Sequence, residues 1–347
     1  MRRIAGFSSL IYHFEMFGFL IHYCKERNYS LTIYCKFQYE NGSIELYNQI
    51  FQSPLLTFKN LWDNLEHDID HYDAIVLFTD EDEDYQVYHS RILQRTLMIE
   101  HTIFRKRTDI PHTFATRPFD LSTFQESRTK SPEFAKYTEP SSCIWTLPTY
   151  PLLSPQQKTP LAQLSRQTTV CILGGYAEYH LDLIHRLRPM KNTDPKIKLI
   201  AISRHMEEKK FEGIDRNKFD LELHCNMDFL TLFQTLKRVD FILSDVSKDN
   251  EYKLEKMAMS GCIPLAFSML IPLIISKQTN SQYQFKNVVE FDKTSRDPIR
   301  LDPSPTPEKI HEECQTLVAK NMRLFDQTFR TIFMANQVID GLSNLIK

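Results

Sequence analysis

Residues 239–275 read VDFILSDVSKDNEYKLEKMAMSGCIPLAFSMLIPLII. The apolar run Phe241, Ile242 and Leu243 meets polar Ser244 and Asp245. Leu254, Met257 and Ala258 then recur at helical spacing until Gly261. Ile263 to Phe267 follows as an apolar, β-branched run without alternation, the pattern of a strand in a parallel sheet covered on both faces. The stretch therefore predicts strand, helix, strand. Ligands of such sheets gather at the carboxyl ends of the strands. Ser244, Asp245, Glu251, Glu255, Ser260 and Gly261 are expected near that edge, although the same residues also suit a solvated helix that serves only the fold.

Upstream the same rhythm repeats. Thr168–Leu173 is a strand, Gly174-Gly175 a turn and Tyr179–Leu187 a helix. Lys198–Ile202 is a strand ending in Ser203, Arg204 and His205, and Leu221–His224 another. Phe229, Leu232, Phe233 and Leu236 give a helix that leads into the opening stretch. Strands alternating with helices predict right-handed crossovers and a Rossmann-like sheet. Downstream, Phe285–Phe291 reads as a strand, 302–307 as a proline-rich loop, and Pro307 onward as a long helix that reaches back toward the first half.

Pro148, Pro151, Pro155 and Pro160 stand among Gln, Ser and Lys up to Gln167, a stiff polar linker between two α/β halves. The first half reads as strands at Ile4–Phe7, Leu31–Phe37, Pro54–Phe58, Asp73–Thr79, Thr96–Ile99 and Pro111–Arg117, with a further apolar piece at Cys143–Leu147. Ile11, Phe14, Phe17, Leu20 and Ile21 predict its first helix, with His13 and Glu15 in the first turns. Asn41-Gly42 is a turn before a helical piece at Leu46–Phe51, and helices are also expected at Asn60–His67 and Ser90–Arg95. A chain of 347 residues exceeds most single cores. The expected division is 1–150, 165–306 and a C-terminal helix over 307–347.

A formal charge of -2 gives no net attraction to polyanions, so nucleic acid is not expected as a partner, and Arg105-Lys106-Arg107 reads as a solvated loop. Seven scattered cysteines without Cys-x-x-Cys encode neither a disulfide framework nor a zinc site. They suit a reducing, cytoplasmic compartment. Cys262–Ile275 is too short and too proline-rich for a membrane helix. Peripheral contact with a membrane stays open.

Three constellations carry possible chemistry. Gly174-Gly175, between a strand and a helix, suits close approach of backbone amides to a phosphate, or a tight turn alone. Arg204 just past the next strand would neutralise a diphosphate; Lys209 and Lys210 read as solvated. Asp80-Glu81-Asp82-Glu83-Asp84 at a strand end offers either oxygen ligands for a divalent cation or a solvated cap. His67 and His71 stand four apart, yet Asp70-His71-Tyr72-Asp73 reads as a helix end and loop. No Gly-x-Gly-x-x-Gly, phosphate-binding Gly-x-x-x-x-Gly-Lys or Gly-x-Ser-x-Gly occurs.

Two α/β halves, a proline linker, a terminal crossing helix and the run Glu255-Lys-Met-Ala-Met-Ser-Gly-Cys-Ile-Pro264 together resemble glycosyltransferases of the GT-B fold. Many of these carry Glu-Ala-Met-Ala-x-Gly-x-Pro, which Glu255, Met257 and Ala258 match in place and Gly261 and Pro264 match in type, shifted by an extra residue at Ser260 and a second before Pro264. The resemblance implies two Rossmann-like domains with parallel sheets facing a cleft, transfer from a nucleotide-sugar donor to a glycan or other acceptor, and Glu255 on the donor ribose. It implies a donor site of Gly174, Gly175, Arg204, Asp245, Glu255, Ser260 and Gly261. By placement His13, with Glu15 beside it, is similar to the histidine base of some inverting members. Ser247 stands where a second glutamate is common, which argues against a retaining mechanism of that type and leaves open a binding protein without catalysis. A sugar-nucleotide epimerase is the other alternative. No cofactor is expected, and helix N-termini and Arg204, rather than a metal, are expected to offset the diphosphate charge.

Overall fold

A computed structural model describes residues 1–8, 16–39, 41–61, 68–78, 93–100, 110–116, 118, 143–158, 167–174, 181–190, 196–203, 208–244 and 260–345. The chain forms two compact units, 1–148 with 317–347, and 149–316.

The first unit carries β1 (Arg3–Ser8), α1 (Phe17–Glu26), β2 (Ser30–Cys35), α2 (Ser43–Phe51), β3 (Leu56–Asn60), β4 (Ala74–Phe78), β5 (Thr96–Glu100), β6 (His112–Ala115) and β7 (Cys143–Trp145). Its seven strands pair in parallel in the order β3-β2-β1-β4-β5-β6-β7. The run Ala-Ile-Val-Leu-Phe of β4 is buried at every position, as a strand covered on both faces must be. Gly6 of β1 lets α1 lie close: a Cβ there would meet Leu20 Cδ2 at 3.2 Å and Phe78 Cε2 at 3.3 Å. Gly42, at φ 80°, makes the turn into α2.

The second unit carries β8 (Thr169–Leu173), α3 (Leu181–Arg186), β9 (Leu187–Arg188), β10 (Ile197–Ser203), β11 (Phe219–Cys225), α4 (Phe229–Lys237) and β12 (Phe241–Leu243). Then come α5 (Cys262–Ser268), β13 (Leu273–Ser276), α6 (Lys277–Tyr283), β14 (Val289–Phe291), β15 (Ile299–Arg300) and α7 (Pro307–Leu345). Six strands pair in parallel as β11-β10-β8-β12-β13-β14, and β15 pairs with β9. Counted within each sheet, the second follows the Rossmann order 3-2-1-4-5-6 and the first the same order with a seventh strand added, 3-2-1-4-5-6-7, each with a switch point beside its first strand.

A shared device fixes both central strand pairs. Arg3 N–H donates to Asp73 Oδ2 at 2.7 Å, and Asp73 N–H to Arg3 O at 2.8 Å. In the second unit Thr169 N–H donates to Asp240 Oδ2 at 2.8 Å, and Asp240 N–H to Thr169 O at 3.0 Å. An aspartate just before the fourth strand thus satisfies the first strand's leading amide, which is exposed in the first unit and, in the second, buried where an unpaired donor would be costly.

α7 starts in the second unit, where Glu313 accepts from Lys286 N–H (2.8 Å) and Asn287 N–H (3.0 Å). Its residues from 317 belong to the first unit. There Phe325 meets the rings of Phe19 at 5.0 Å and Phe114 at 5.2 Å, Phe329 stacks on Tyr23, and Asn336 Nδ2 donates to Asp73 O at 2.7 Å.

Three expectations need correction. Ile263–Phe267 is not a strand: it lies in α5, and the strand is β13, Leu273–Ser276. All seven residues of α5 are buried, so no polar face betrays its period, and Pro264 sits in the first turn, where its missing N–H costs nothing. The strand expected over Phe285–Phe291 shortens to β14, because the amides before it bond elsewhere, Phe285 N–H to Asn280 Oδ1 and those of Lys286 and Asn287 to Glu313; the unforeseen α6, with Ser276 as its N-cap, ends just upstream. The expected linker is built into the second unit over 149–158 rather than acting as a spacer. Leu152 N–H donates to Ser268 O at 3.1 Å, and Lys158 Nζ reaches Val239 O at 2.9 Å and Leu236 O at 3.5 Å, closing the end of α4. The helices expected over Asn60–His67 and Ser90–Arg95 fall mostly outside the described residues.

Candidate functional site

In the second unit the switch point lies between β8 and β12, so the carboxyl ends that flank it are Leu173-Gly174 and Leu243-Ser244. Gly174 has φ +109°, a conformation L side chains rarely adopt, and a Cβ built on it would have no heavy atom within 4 Å. Among the described residues nothing fills the space in front of this turn. The Gly174 amide donates to Ile202 O at 2.9 Å, so contact with a phosphate would fall to amides beyond it.

The neighbouring strand ends are closed. After β11, Asp228 accepts from Thr231 N–H at 2.9 Å and from Thr231 Oγ1 at 2.6 Å. Those bonds hold its carboxyl below the usual range and cap α4. After β13, Ser276 Oγ accepts from Thr279 N–H at 3.0 Å and caps α6. A helix start already capped by its own side chain offers an anion less. Ser244, expected to face a ligand, instead turns inward: its N–H (3.1 Å) and its hydroxyl (3.0 Å) both donate to Ile274 O.

Ser260 and Gly261 lead into α5. Gly261 has helical φ −58° and ψ −19° with no side-chain cap, and Ser260 Oγ lies 3.0 Å from Cys262 Sγ. Gly174 follows β8 at this edge, whereas Ser260 and Gly261 precede α5 and are separated from β12 by residues outside those described. Gly175, Arg204, Asp245 and Glu255 lie outside the described residues, as do Glu251, Ser247 and, in the first unit, His13, Glu15, His67 and the acidic run 80–84. Lys209 is exposed. Among the described residues no group of three or more His, Cys, Asp or Glu gathers as a metal site, and no helix is long and apolar enough to cross a membrane.

Two edge residues escaped the sequence reading as site candidates. Glu100, the last residue of β5, is 1 % exposed, and Ser203, the last of β10, is 7 % exposed. The signal for Glu100 was present, since the β5 run ends in Glu100 and His101; its burial depends on the neighbouring strands. Of the cysteines described, Cys24, Cys35, Cys171, Cys262 and Cys314 are buried and reduced, while Cys225 at the end of β11 is exposed. Burial pushes the Cys171 thiol well above its ordinary value, so it is inert as a nucleophile.

No protein-family model matches the sequence, and no curated protein does. Solved structures do. The glycosyltransferase AviGT4, involved in Avilamycin A biosynthesis, aligns over 96% of this chain and 98% of its own at 9% identity, with a TM-score of 0.54. An alpha-glucosyltransferase in complex with UDP and a 13-mer DNA containing a HMU base covers 95% of both chains at 9% identity, TM-score 0.51. Anabaena Alr3699/HepE in complex with UDP and glucose covers 99% of this chain and 100% of its own at 11% identity, TM-score 0.50. At such identities the likeness is one of fold. With two parallel Rossmann-like sheets and a terminal helix shared by both units, the chain has the GT-B fold of glycosyltransferases.

Proposed function

We propose that the protein is a glycosyltransferase that moves a sugar from a nucleotide-sugar donor to a glycan or other acceptor. The observation that carries this reading is the open turn at Gly174, beside the switch point of the second sheet, in a chain of GT-B fold. The second unit takes the donor through Gly174, Gly175, Arg204, Asp245, Glu255, Ser260 and Gly261. The first takes the acceptor. His13 removes the acceptor hydroxyl proton, with Glu15 orienting it, as the oxygen bonds to the anomeric carbon and the bond to the diphosphate breaks. Arg204 and backbone amides hold the departing charge without a metal.

A thermal-shift panel of UDP-, GDP- and CMP-linked sugars tests the reading: one family of donors raises the midpoint, and stabilisation by none refutes it. Arg204→Ala weakens donor binding while Asp80→Asn does not. Activity survives EDTA; loss restored by Mn²⁺ moves the acidic run 80–84 to the centre of the site. Ser247 in place of a second glutamate favours, as a second reading, a protein that binds nucleotide-sugar without turnover. Release of nucleoside diphosphate by purified protein removes that reading.

A further inference from the structure

α7 carries Asp326, Phe329, Arg330, Phe333, Met334 and Gln337 along one stripe at spacings of three and four. Within the first unit this stripe faces Arg2, Tyr23, Arg27 and Tyr29 around a cavity of about 430 Å³. Three guanidinium groups and one carboxylate line it. The carboxylate is fully engaged: Asp326 accepts from Arg27 Nε at 2.8 Å and Nη2 at 2.6 Å, and from Tyr23 OH at 3.0 Å. Arg2 holds Asp73 through Nη1 at 2.8 Å while its plane lies 4.4 Å over the ring of Phe333.

Among the described residues Arg330 makes no hydrogen bond; its charge acts on Asp326, whose carboxylate is already held by Arg27 and Tyr23. The five donors of Arg330 and the remaining donors of Arg2 line the same cavity as the stacked rings of Tyr23, Phe329 and Phe333. Met334 beside it is 62 % exposed. An excess of cationic forks, one of them without a hydrogen bond, beside apolar rings is the chemistry that holds a phosphate ester with an apolar body against the rings.

We propose that this cavity binds a phosphate monoester anion, separately from the donor site of the second unit and independently of the sugar-transfer reading. The ester comes either from a small soluble molecule or from the headgroup of an anionic lipid at a membrane surface. Two assays separate these sources. Calorimetry with phenyl phosphate, a soluble monoester with an apolar body, reads the soluble ligand, and flotation with phosphatidylcholine vesicles with and without phosphatidic acid reads the surface.

Arg330→Gln removes the fork that makes no hydrogen bond and leaves the hydrogen bonds of Asp326 to Arg27 and Tyr23 in place. Arg323→Gln, exposed on the same helix but away from the cavity, makes the same charge change as a control. The expected result is wild-type binding in at least one assay, weakened about tenfold or more by Arg330→Gln and unaltered by Arg323→Gln, with circular dichroism showing both variants folded. Binding in calorimetry alone assigns a soluble ester; binding to vesicles alone assigns a lipid. Absence of wild-type binding in both assays, full binding by Arg330→Gln, or equal loss in the two variants overturns the proposal.

Discussion

Replacing Gly174 by alanine tests the turn on which the donor site rests. A residue with a Cβ held at φ +109° pays roughly 1–3 kcal/mol in backbone strain. The narrower unfolded ensemble of alanine returns about 0.4–1 kcal/mol, which leaves a net loss of about 1–2 kcal/mol. Because no heavy atom lies within 4 Å of the added Cβ, sterics contribute nothing, and Gly174→Ser falls within about 0.5 kcal/mol of alanine. Urea unfolding followed by circular dichroism measures both losses in the transition of the second unit, the two units being allowed to unfold separately. The donor-induced thermal shift shrinks in parallel. Alanine that leaves stability unaltered refutes the strained turn, and a serine much worse than alanine refutes the open space in front of it.

Lys158→Met keeps the aliphatic stem but removes the ammonium that closes α4 onto Leu236 O and Val239 O; the expected loss is about 2–4 kcal/mol in urea unfolding, and a loss below about 0.5 kcal/mol would mean that 149–158 is only loosely attached. Burial alone would raise the Glu222 carboxyl, but hydrogen bonds from Lys198 and His224 and the charges of Lys198 and Arg238 hold it at about 2. A depressed carboxyl stabilises the fold above its ordinary value of 4.5 and loses that contribution as pH falls through that value toward the folded one. Glu222→Gln is therefore less stable than wild type near about pH 7, and the gap closes near about pH 2; a gap constant across that window contradicts the ion network. Gln284 ends α6 exposed at φ +59°, so Gln284→Gly is expected to raise stability by about 0.5–1 kcal/mol, read as an increase in Tm that a neutral or negative result would refute.

Much of the strand content was legible in the sequence. β4 announces itself as a short run apolar at every position, and β1, β8, β10 and β12 as runs that are mostly apolar, because strands covered on both faces bury nearly every residue. α4 was legible through its amphipathic spacing. α5 was not, since a helix buried all round shows no period, and its β-branched, proline-containing run imitates a strand. α6 was missed for the opposite reason: it is short and polar, and its cap, Ser276, belongs to the preceding strand.

The candidate site divides in the same way. Gly174 was marked by its position between a strand and a helix, a local signal. That Ser244 turns toward Ile274 could not be read, because the acceptor for its hydroxyl belongs to β13, thirty residues on. Asp73 and Asp240 each satisfy an amide about seventy residues away. The cationic cavity gathers Arg2, Arg27 and Arg330 from both ends of the chain.

What the sequence determined by itself is the alternation of strands and helices and the direction in which it feeds a parallel sheet, because hydrophobic period and turn chemistry act over a few neighbouring residues. Tertiary structure alone decided the order 3-2-1-4-5-6, the strand ends that meet at the switch point, and which polar groups there are left open. Those outcomes depend on pairing between segments distant in the chain, and each polar group's partner is set by the strand that lies next to it in space.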